Sequence, residues 1–480
     1  MNDEGTESYR LKDRSDRKSA RLRDTRARHA LNANCCGFFL VVLDSTALNV
    51  AVTSMQRDFG GALTSLQWVV SIYTMVFASL MLTCGAIGDR IGPKRLYQIG
   101  LIFFTITSLL CALATGPAFL IAARFLQGIG AAIMLPSSLS LISHAYPNAG
   151  DRAKAIAHWA SVVSLAFAVG PVLGGVLTSY FGWRSIFLIN IPVGVLALCM
   201  VRKLVSEASS RRPQALNVAG QVLVSASLFC LTYALIEAGG DGWTSPHILT
   251  AFGAWLVLTV AIIFLEKNDS LRVFPSFLIA KPSFSTCVVA GLVLNFGIYG
   301  ILFVEALYLQ DILHLNALLA GATMLPLTLL PTITTRLIVG YSEARYLKGR
   351  IIIGQIIAAC GAGMLIISTF GSAYWQILLG LALLGVSLGC IMPAITAGIL
   401  IDCPTENSGL ASGILNAARQ VGGALGVALM GSLFLTWQTE GLLASFALVM
   451  VSFLGMAGIT ARKADWPGTP QTTGPDITWS

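Results

Sequence analysis

The chain reads as an all-α polytopic membrane protein with about fourteen transmembrane helices. Three observations predict this. Only 11% of the 480 residues are charged, where a soluble domain carries about 25%. Apolar stretches of about 20 residues, enough to cross a bilayer, recur from residue 31 to residue 461. The links between them alternate between basic and base-poor.

The chain opens on a basic segment, Arg10 to Arg28, with nine Lys or Arg and little apolar surface. That composition predicts a disordered tail over residues 1–30. It is no signal peptide, because the apolar run that follows is too long and further runs succeed it. The first span is 31–53, and it carries an acid, Asp44, near its middle. The next are 66–88, 95–114, 118–140, 156–178 and 185–201. Two more, 218–236 and 248–265, precede a final six at 284–307, 315–339, 351–369, 375–400, 411–436 and 441–461. Basic links hold Arg90, Lys94 and Arg95, then Arg152 and Lys154, Arg202 to Arg212, Lys267 to Lys281, and Arg345 to Arg350. The alternate links hold few bases. The positive-inside rule therefore places the basic links and both termini in the cytoplasm. The loop 402–408 departs from this, having no base.

A faint internal repeat divides the chain. Gly128–Pro136 (GIGAAIMLP) resembles Gly385–Pro393 (GVSLGCIMP), and each is followed by a polar loop and a Gly-rich span. The expected organisation is a tail (1–30), a six-helix bundle (31–202), a linker with two helices (203–267), a second six-helix bundle (268–461) and a short tail (462–480). Repeats of this kind place a substrate site near the midplane between halves.

An ionised carboxylate in hydrocarbon is costly, so Asp44 marks a proton site or a packing acid satisfied by an amide such as Asn49. Arg124, several residues inside its span, needs a counter-charge, and Asp44 is the candidate; snorkelling to the nearer interface is the other reading. Glu305 is a second deep acid, suited to a proton or a cationic substrate. Asn49, Gln127, Asn295, Tyr299, Tyr308 and Gln310 are candidates for a polar substrate cavity. Gly170, Pro171, Gly174 and Gly175 make a kinked, closely packed helix. Gly85, Asp89, Arg90, Gly92, Lys94 and Arg95 form a tight charged turn, read as a gate latch or an ordinary membrane boundary. Glu237 and Asp241 read as solvated, and Arg419 as a deep base paired with an acid. The ten cysteines contain no CxxC and read as small buried hydrophobes. The five histidines show no metal spacing. There is no Walker loop or GxSxG elbow, so no cofactor, metal, ATPase subunit or enzyme activity is expected. The basic tail suits anionic lipid better than nucleic acid.

These strings resemble the major facilitator superfamily, and within it the fourteen-span drug:proton antiporter branch. LDSTALNVAV resembles its first-helix motif, GAIGDRIGPKR its loop motif, RFLQGIGAA its fourth-helix motif and AFAVGPVLGG its fifth-helix antiporter motif. WRSIFLINIPVG and SGLASGILNAARQVGGALGVA also fit. The resemblance runs from Leu31 to Ala461. It implies a major facilitator fold of two six-helix bundles plus two inserted helices, with alternating access. It implies coupling at Asp44, proton relay at Arg124, an antiport interface at Gly170–Gly175 and gating at Asp89 and Arg90. The chain departs from the pattern at Ser71, where many members carry an acid, at Pro93 and at Asn217. Glu305, where a neutral residue is usual, is a candidate replacement for the missing acid.

The expected function is proton-coupled export of small amphipathic drugs or antibiotics across the cytoplasmic membrane, with protons and lipids as the other partners. The alternatives are a dedicated exporter of one host metabolite, such as a self-made antibiotic, and a non-transporting sensor on the same fold.

Overall fold

The computed structural model describes residues 3–146, 148–205, 218–265, 278, 280–338, 344–371, 374–401, 403 and 408–463, with side chains from residue 28 onward. Asn217, most of the loop 402–408 and the end of the C-terminal tail lie outside the described residues, as does the side chain of Asp89.

Fourteen helices long and apolar enough to cross a membrane follow one another among the described residues. They are α1 (Asp3–Phe59), α2 (Leu63–Ile91), α3 (Pro93–Ala112), α4 (Pro117–Ala145), α5 (Ala149–Phe181), α6 (Ser185–Leu204) and α7 (Val218–Asp241). The rest are α8 (Pro246–Leu265), α9 (Pro282–Ile312), α10 (Ala317–Ile338), α11 (Ala344–Phe370), α12 (Tyr374–Ile401), α13 (Ser408–Trp437) and α14 (Thr439–Lys463). α6 is interrupted at Ile189 and α10 at Met324, and the last turn of α9, Tyr308–Ile312, is π-helical. Helix starts follow local chemistry. Proline opens α3, α4, α8 and α9, where its missing N–H costs nothing. Asn316 caps α10 by accepting from Leu319 N at 2.8 Å.

Residues 3–29 continue α1 upstream of the first span. That stretch has no proline to interrupt the helix.

The helices of each half pair in the same way. In the first six, α1 packs on α5 and α6, α2 and α3 on α4, and α3 on α6. In the last six, α9 packs on α13 and α14, α10 and α11 on α12, and α11 on α14. Among the described residues the main pairings between the halves are α5 with α10, α2 with α13, and α1 with α9, and α1 also touches α10.

An even number of spans puts the entry of the first span and the exit of α14 on one face, here the terminal face; the α1–α2 turn lies on the far face. The hydrogen bonds that cross the seam lie between mid-depth and the far face. Gln310 Nε2 donates to Val50 O at 3.0 Å, Thr328 Oγ1 to Ala168 O at 3.1 Å, and Leu318 N to Ser179 Oγ at 3.1 Å.

The inserted helices are unequal. α7 packs on both α2 and α13 and so straddles the seam, whereas α8 packs on α7. Glu237, expected to be solvated, is half-buried and accepts from Trp68 Nε1 of α2 at 2.6 Å. The indole N–H draws the carboxylate against α2, which hydropathy along α7 alone does not signal.

Candidate functional site

Asp44 is buried in the middle of the membrane-spanning part of α1 and Arg124 is buried two turns into α4. Their side chains form an ion pair between Arg124 Nη1 and Asp44 Oδ2. The pair is heavily supported. Arg124 also donates to Gln127 Oε1 at 2.6 Å and to Val69 O at 3.2 Å, and its guanidinium lies over the Tyr73 ring, 4.0 Å from the centroid. Asp44 Oδ1 accepts from Asn190 Nδ2 at 3.0 Å and from Gln127 Nε2 at 3.3 Å. Ser108 Oγ ties the two amides together, accepting from Gln127 at 2.8 Å and from Asn190 at 3.3 Å. Helices α1, α2, α3, α4 and α6 therefore each give a residue to one polar cluster inside the first half. Desolvating two charges is costly, and only dense hydrogen bonding of this kind offsets it.

Asn190 is legible only in three dimensions. It closes the string WRSIFLIN, whose start is an anchor at the far face. Arg184 pairs with Asp58 at 2.7 Å and donates to Ala114 O at 3.0 Å, while Trp183 Nε1 donates to Asp58 at 3.1 Å. That anchor fixes the register of α6, and six residues on, Asn190 reaches Asp44. Asn190→Leu is expected to lower stability by about 1–3 kcal/mol, since it strips a buried carboxylate of a donor. Thermal melts and efflux assays of the variant check this; values equal to wild type in both would remove Asn190 from the site.

The glycines of α5 face two partners. A Cβ at Gly174 would lie 2.9 Å from Ala47 Cα of α1, and one at Gly170 would strike Thr46. A Cβ at Gly175 would lie 3.0 Å from Leu318 Cα of α10, and Gly321 of α10 abuts the carbonyl of Pro171. α5 is thus wedged between its own half and the other, with α1 touching it three residues after Asp44. It continues as helix through Pro171.

The α2–α3 turn is a single residue, Gly92, at φ 93°, a conformation that disfavours any side chain. Pro93, the departure from the usual base, takes the first position of α3. Gly88 packs against Leu96, Gly85 lies near Pro136, and Lys94 Nζ donates to Arg202 O at 3.4 Å. Arg90 and Arg95 are exposed.

Glu305 lies near the far-face end of α9, 1% exposed, and neither carboxylate oxygen has a hydrogen-bond partner among the described residues. An unpaired carboxylate there costs several kcal/mol, about 1–3 kcal/mol when neutral. Among the described residues Arg419 is not paired with an acid as expected. It donates to Asn416 Oδ1 at 3.0 Å and to Asn295 Oδ1 at 3.4 Å. Two amide oxygens take the place of a counter-ion because α9 and α13 bring no acid to that level.

The six cavity candidates are not brought to one cavity. Gln127 belongs to the Asp44 cluster. Asn49 donates to carbonyls of its own helix, Ser45 O at 3.1 Å and Thr46 O at 3.4 Å. Asn295 holds Arg419. Tyr299 meets Phe167 of α5 across the seam, ring centroids 6.4 Å apart. Tyr308 is buried, and Gln310 is tied to α1. Helical rotation sets these directions, and α9 alone sends Asn295, Tyr299, Tyr308 and Gln310 to different neighbours. Among the described residues no His, Cys, Asp and Glu cluster could hold a metal.

A family model of the Major Facilitator Superfamily matches residues 35–427. The chain is 35% identical to the methylenomycin A resistance protein of Bacillus subtilis (strain 168), over 86% of this chain and 89% of that one. It is 33% identical to the multidrug resistance protein Stp of Mycobacterium tuberculosis (strain CDC 1551 / Oshkosh), over 85% and 76%. In fold it matches the crystal structure of the peptide transporter POT in complex with sulfate, with a TM-score of 0.68 at 14% identity, covering 90% and 93%. The chain is thus an integral membrane protein of the Major Facilitator Superfamily, a transporter of a small molecule and not an enzyme.

Proposed function

We propose that this chain exports small amphipathic drugs or antibiotics across the cytoplasmic membrane, in exchange for inward-moving protons, with its terminal face in the cytoplasm. The observation that carries the reading is the Asp44–Arg124 pair, buried inside the first half with five helices converging on it. A fold needs no ionisable group at mid-membrane, where hydrophobic packing is less costly. A proton carrier needs one. The relatives named for methylenomycin A and multidrug resistance support export and the class of cargo. The basic links on the terminal face support the orientation. Asp44 is the coupling group in this reading, Arg124 its relay partner, and Glu305 a second protonatable group. The Gly170–Gly175 segment is the sliding interface and the Gly85–Arg95 turn the gate.

The driving force follows from elementary terms. A proton brings about 1.4 kcal/mol per unit of pH difference. A net charge brings about 2.3 kcal/mol per 100 mV. No bound cofactor is required. The test is proton flux in sealed vesicles holding the purified protein under an imposed pH gradient. Antiport predicts proton movement triggered by added drug, from a panel of cationic, neutral and anionic compounds. Drug binding without proton movement would overturn the coupling.

A second reading, a dedicated exporter of one compound, is favoured by the relative named for a single antibiotic, methylenomycin A. The same panel separates the two, since one transported compound supports the dedicated version.

A further inference from the structure

The far-face end of α7 carries Glu237, an acid that the proposed exchange does not use. Its Oε1 accepts from Trp68 Nε1 of α2, and its Oε2 accepts from no described residue. Among the described residues no cation pairs with it. Three aromatic rings stand on its membrane side. The Trp68 ring lies 5.7 Å from Phe229 and 6.2 Å from Tyr233, centroid to centroid, and those two stack at 6.3 Å. Tyr233 is one turn from Glu237 along α7 and Phe229 is two, so the three share a helix face. Phe229 is 45% exposed, so the group opens to the side of the molecule and not into its core.

An apolar groove of about 430 Å³ lies beside these rings. Ile72 of α2 floors it, and Ala118, Ile121, Ala122, Phe125 and Leu126 of α4 form its wall. Ile72 is one turn beyond Trp68, and both share a packed cluster with Ile121 of α4 and Leu228 of α7. α4 and α7 both pack on α2, so the groove and the rings occupy one flank of the first half. The groove begins at the far-face end of α4 and descends about 14 Å toward the midplane at 1.5 Å per residue. Glu237 stands four residues before the end of α7 and Trp68 five residues after the start of α2. That is the depth of lipid headgroups, with the groove below it.

We propose that this flank binds one phospholipid with an ammonium headgroup: Glu237 and the faces of Trp68 and Tyr233 hold the ammonium, and one acyl chain lies in the α2–α4 groove. Charge selects the headgroup. A ring face attracts a cation, and a carboxylate without a partner attracts it more strongly. A lipid that carries only its phosphate charge meets the same carboxylate as repulsion. Aromatic side chains need no acid to sit at an interface, so the rings alone leave Glu237 unexplained. Length separates a lipid from a compact organic cation. A polar end at headgroup depth, continued by a purely apolar trough toward the midplane, has the shape of a headgroup and its chain.

The test uses the full chain in vesicles containing a trace of photoreactive lipid. Phosphatidylethanolamine and phosphatidylglycerol are given the same diazirine-bearing acyl chain, so the two probes share phosphate and chain and differ in the ammonium. After illumination the labelled residues are mapped by mass spectrometry. Phosphatidylethanolamine is expected to label α4 between Ala118 and Leu126 about fivefold more than phosphatidylglycerol. Glu237→Gln keeps an acceptor for the Trp68 indole and removes the charge, and it is expected to bring that ratio to about one. Ala122→Trp fills the groove from its exposed side and is expected to lower labelling by phosphatidylethanolamine to the phosphatidylglycerol level. Equal labelling by the two lipids in the wild-type chain, or an excess that survives either variant, overturns the site. So does an excess that tetraphenylphosphonium removes at concentrations far below that of the lipid, which would give the groove to a compact organic cation. Should Glu237→Gln fail to accumulate, Ala122→Trp decides. The readout needs no transported compound and, with both leaflets alike, no assigned orientation, so it stands or falls apart from the antiport reading.

Discussion

Asp44→Asn is expected to insert and to bind drug but to show no drug-triggered proton movement, with gradient-driven efflux lost. The amide keeps the shape of the carboxylate and removes its charge. Arg124 is then left as a buried cation with Gln127 Oε1, Val69 O and the Tyr73 ring for support. Breaking a buried pair on one side costs about 3–5 kcal/mol, so a fall in thermal stability accompanies the loss of coupling. Two measurements separate these effects. Asp44→Asn with Arg124→Gln removes both charges, and its melting temperature is expected to recover part of the loss while proton flux stays absent. Gradient-dependent efflux by Asp44→Asn at the wild-type rate would show that Asp44 is a packing acid held by Arg124.

Gly174→Val is expected to abolish efflux by geometry alone. The position where a Cβ would stand lies 2.9 Å from Ala47 Cα and 3.0 Å from Ala47 C. Those are backbone atoms, which cannot rotate away as a side-chain tip can. The substitution must push α5 from α1, three residues beyond Asp44, and on its other flank toward Leu318 of α10. Overpacking costs about 1–3 kcal/mol, and here it falls on the helix that holds both halves together. The comparison is Gly253→Ala on α8, whose Cβ would meet open space and which is expected to behave as wild type. Efflux and thermal melts of the two variants check this. Equal activity in Gly174→Val and wild type would show that the glycines of α5 are not a close interface.

Much of the fold was legible because it is written along one dimension. Hydropathy and length mark the fourteen spans, and turn chemistry marks an end at Gly92–Pro93. The repeat between Gly128–Pro136 and Gly385–Pro393 sits on α4 and α12, which hold equivalent places in the two sets of helix pairings. The charge requirement at Arg124 pointed to Asp44, since a deep cation must find an anion and the first half offers one at mid-membrane.

What the sequence determined by itself is the set of helices, their order across the membrane and the two charges that cannot stand alone there. The tertiary structure alone decided which neighbours those charges and their kin received. Asn190 and Ser108 joined Asp44, Trp68 drew in Glu237, two asparagines took Arg419, and Glu305 was left with nothing. The reason is rotation and register. Each residue turns a helix face by about 100°, so a side chain's partner depends on how whole helices settle against one another. The apolar surface that positions them is chemically nearly uniform in lipid, and close contacts such as Gly174 on Ala47 fix the arrangement.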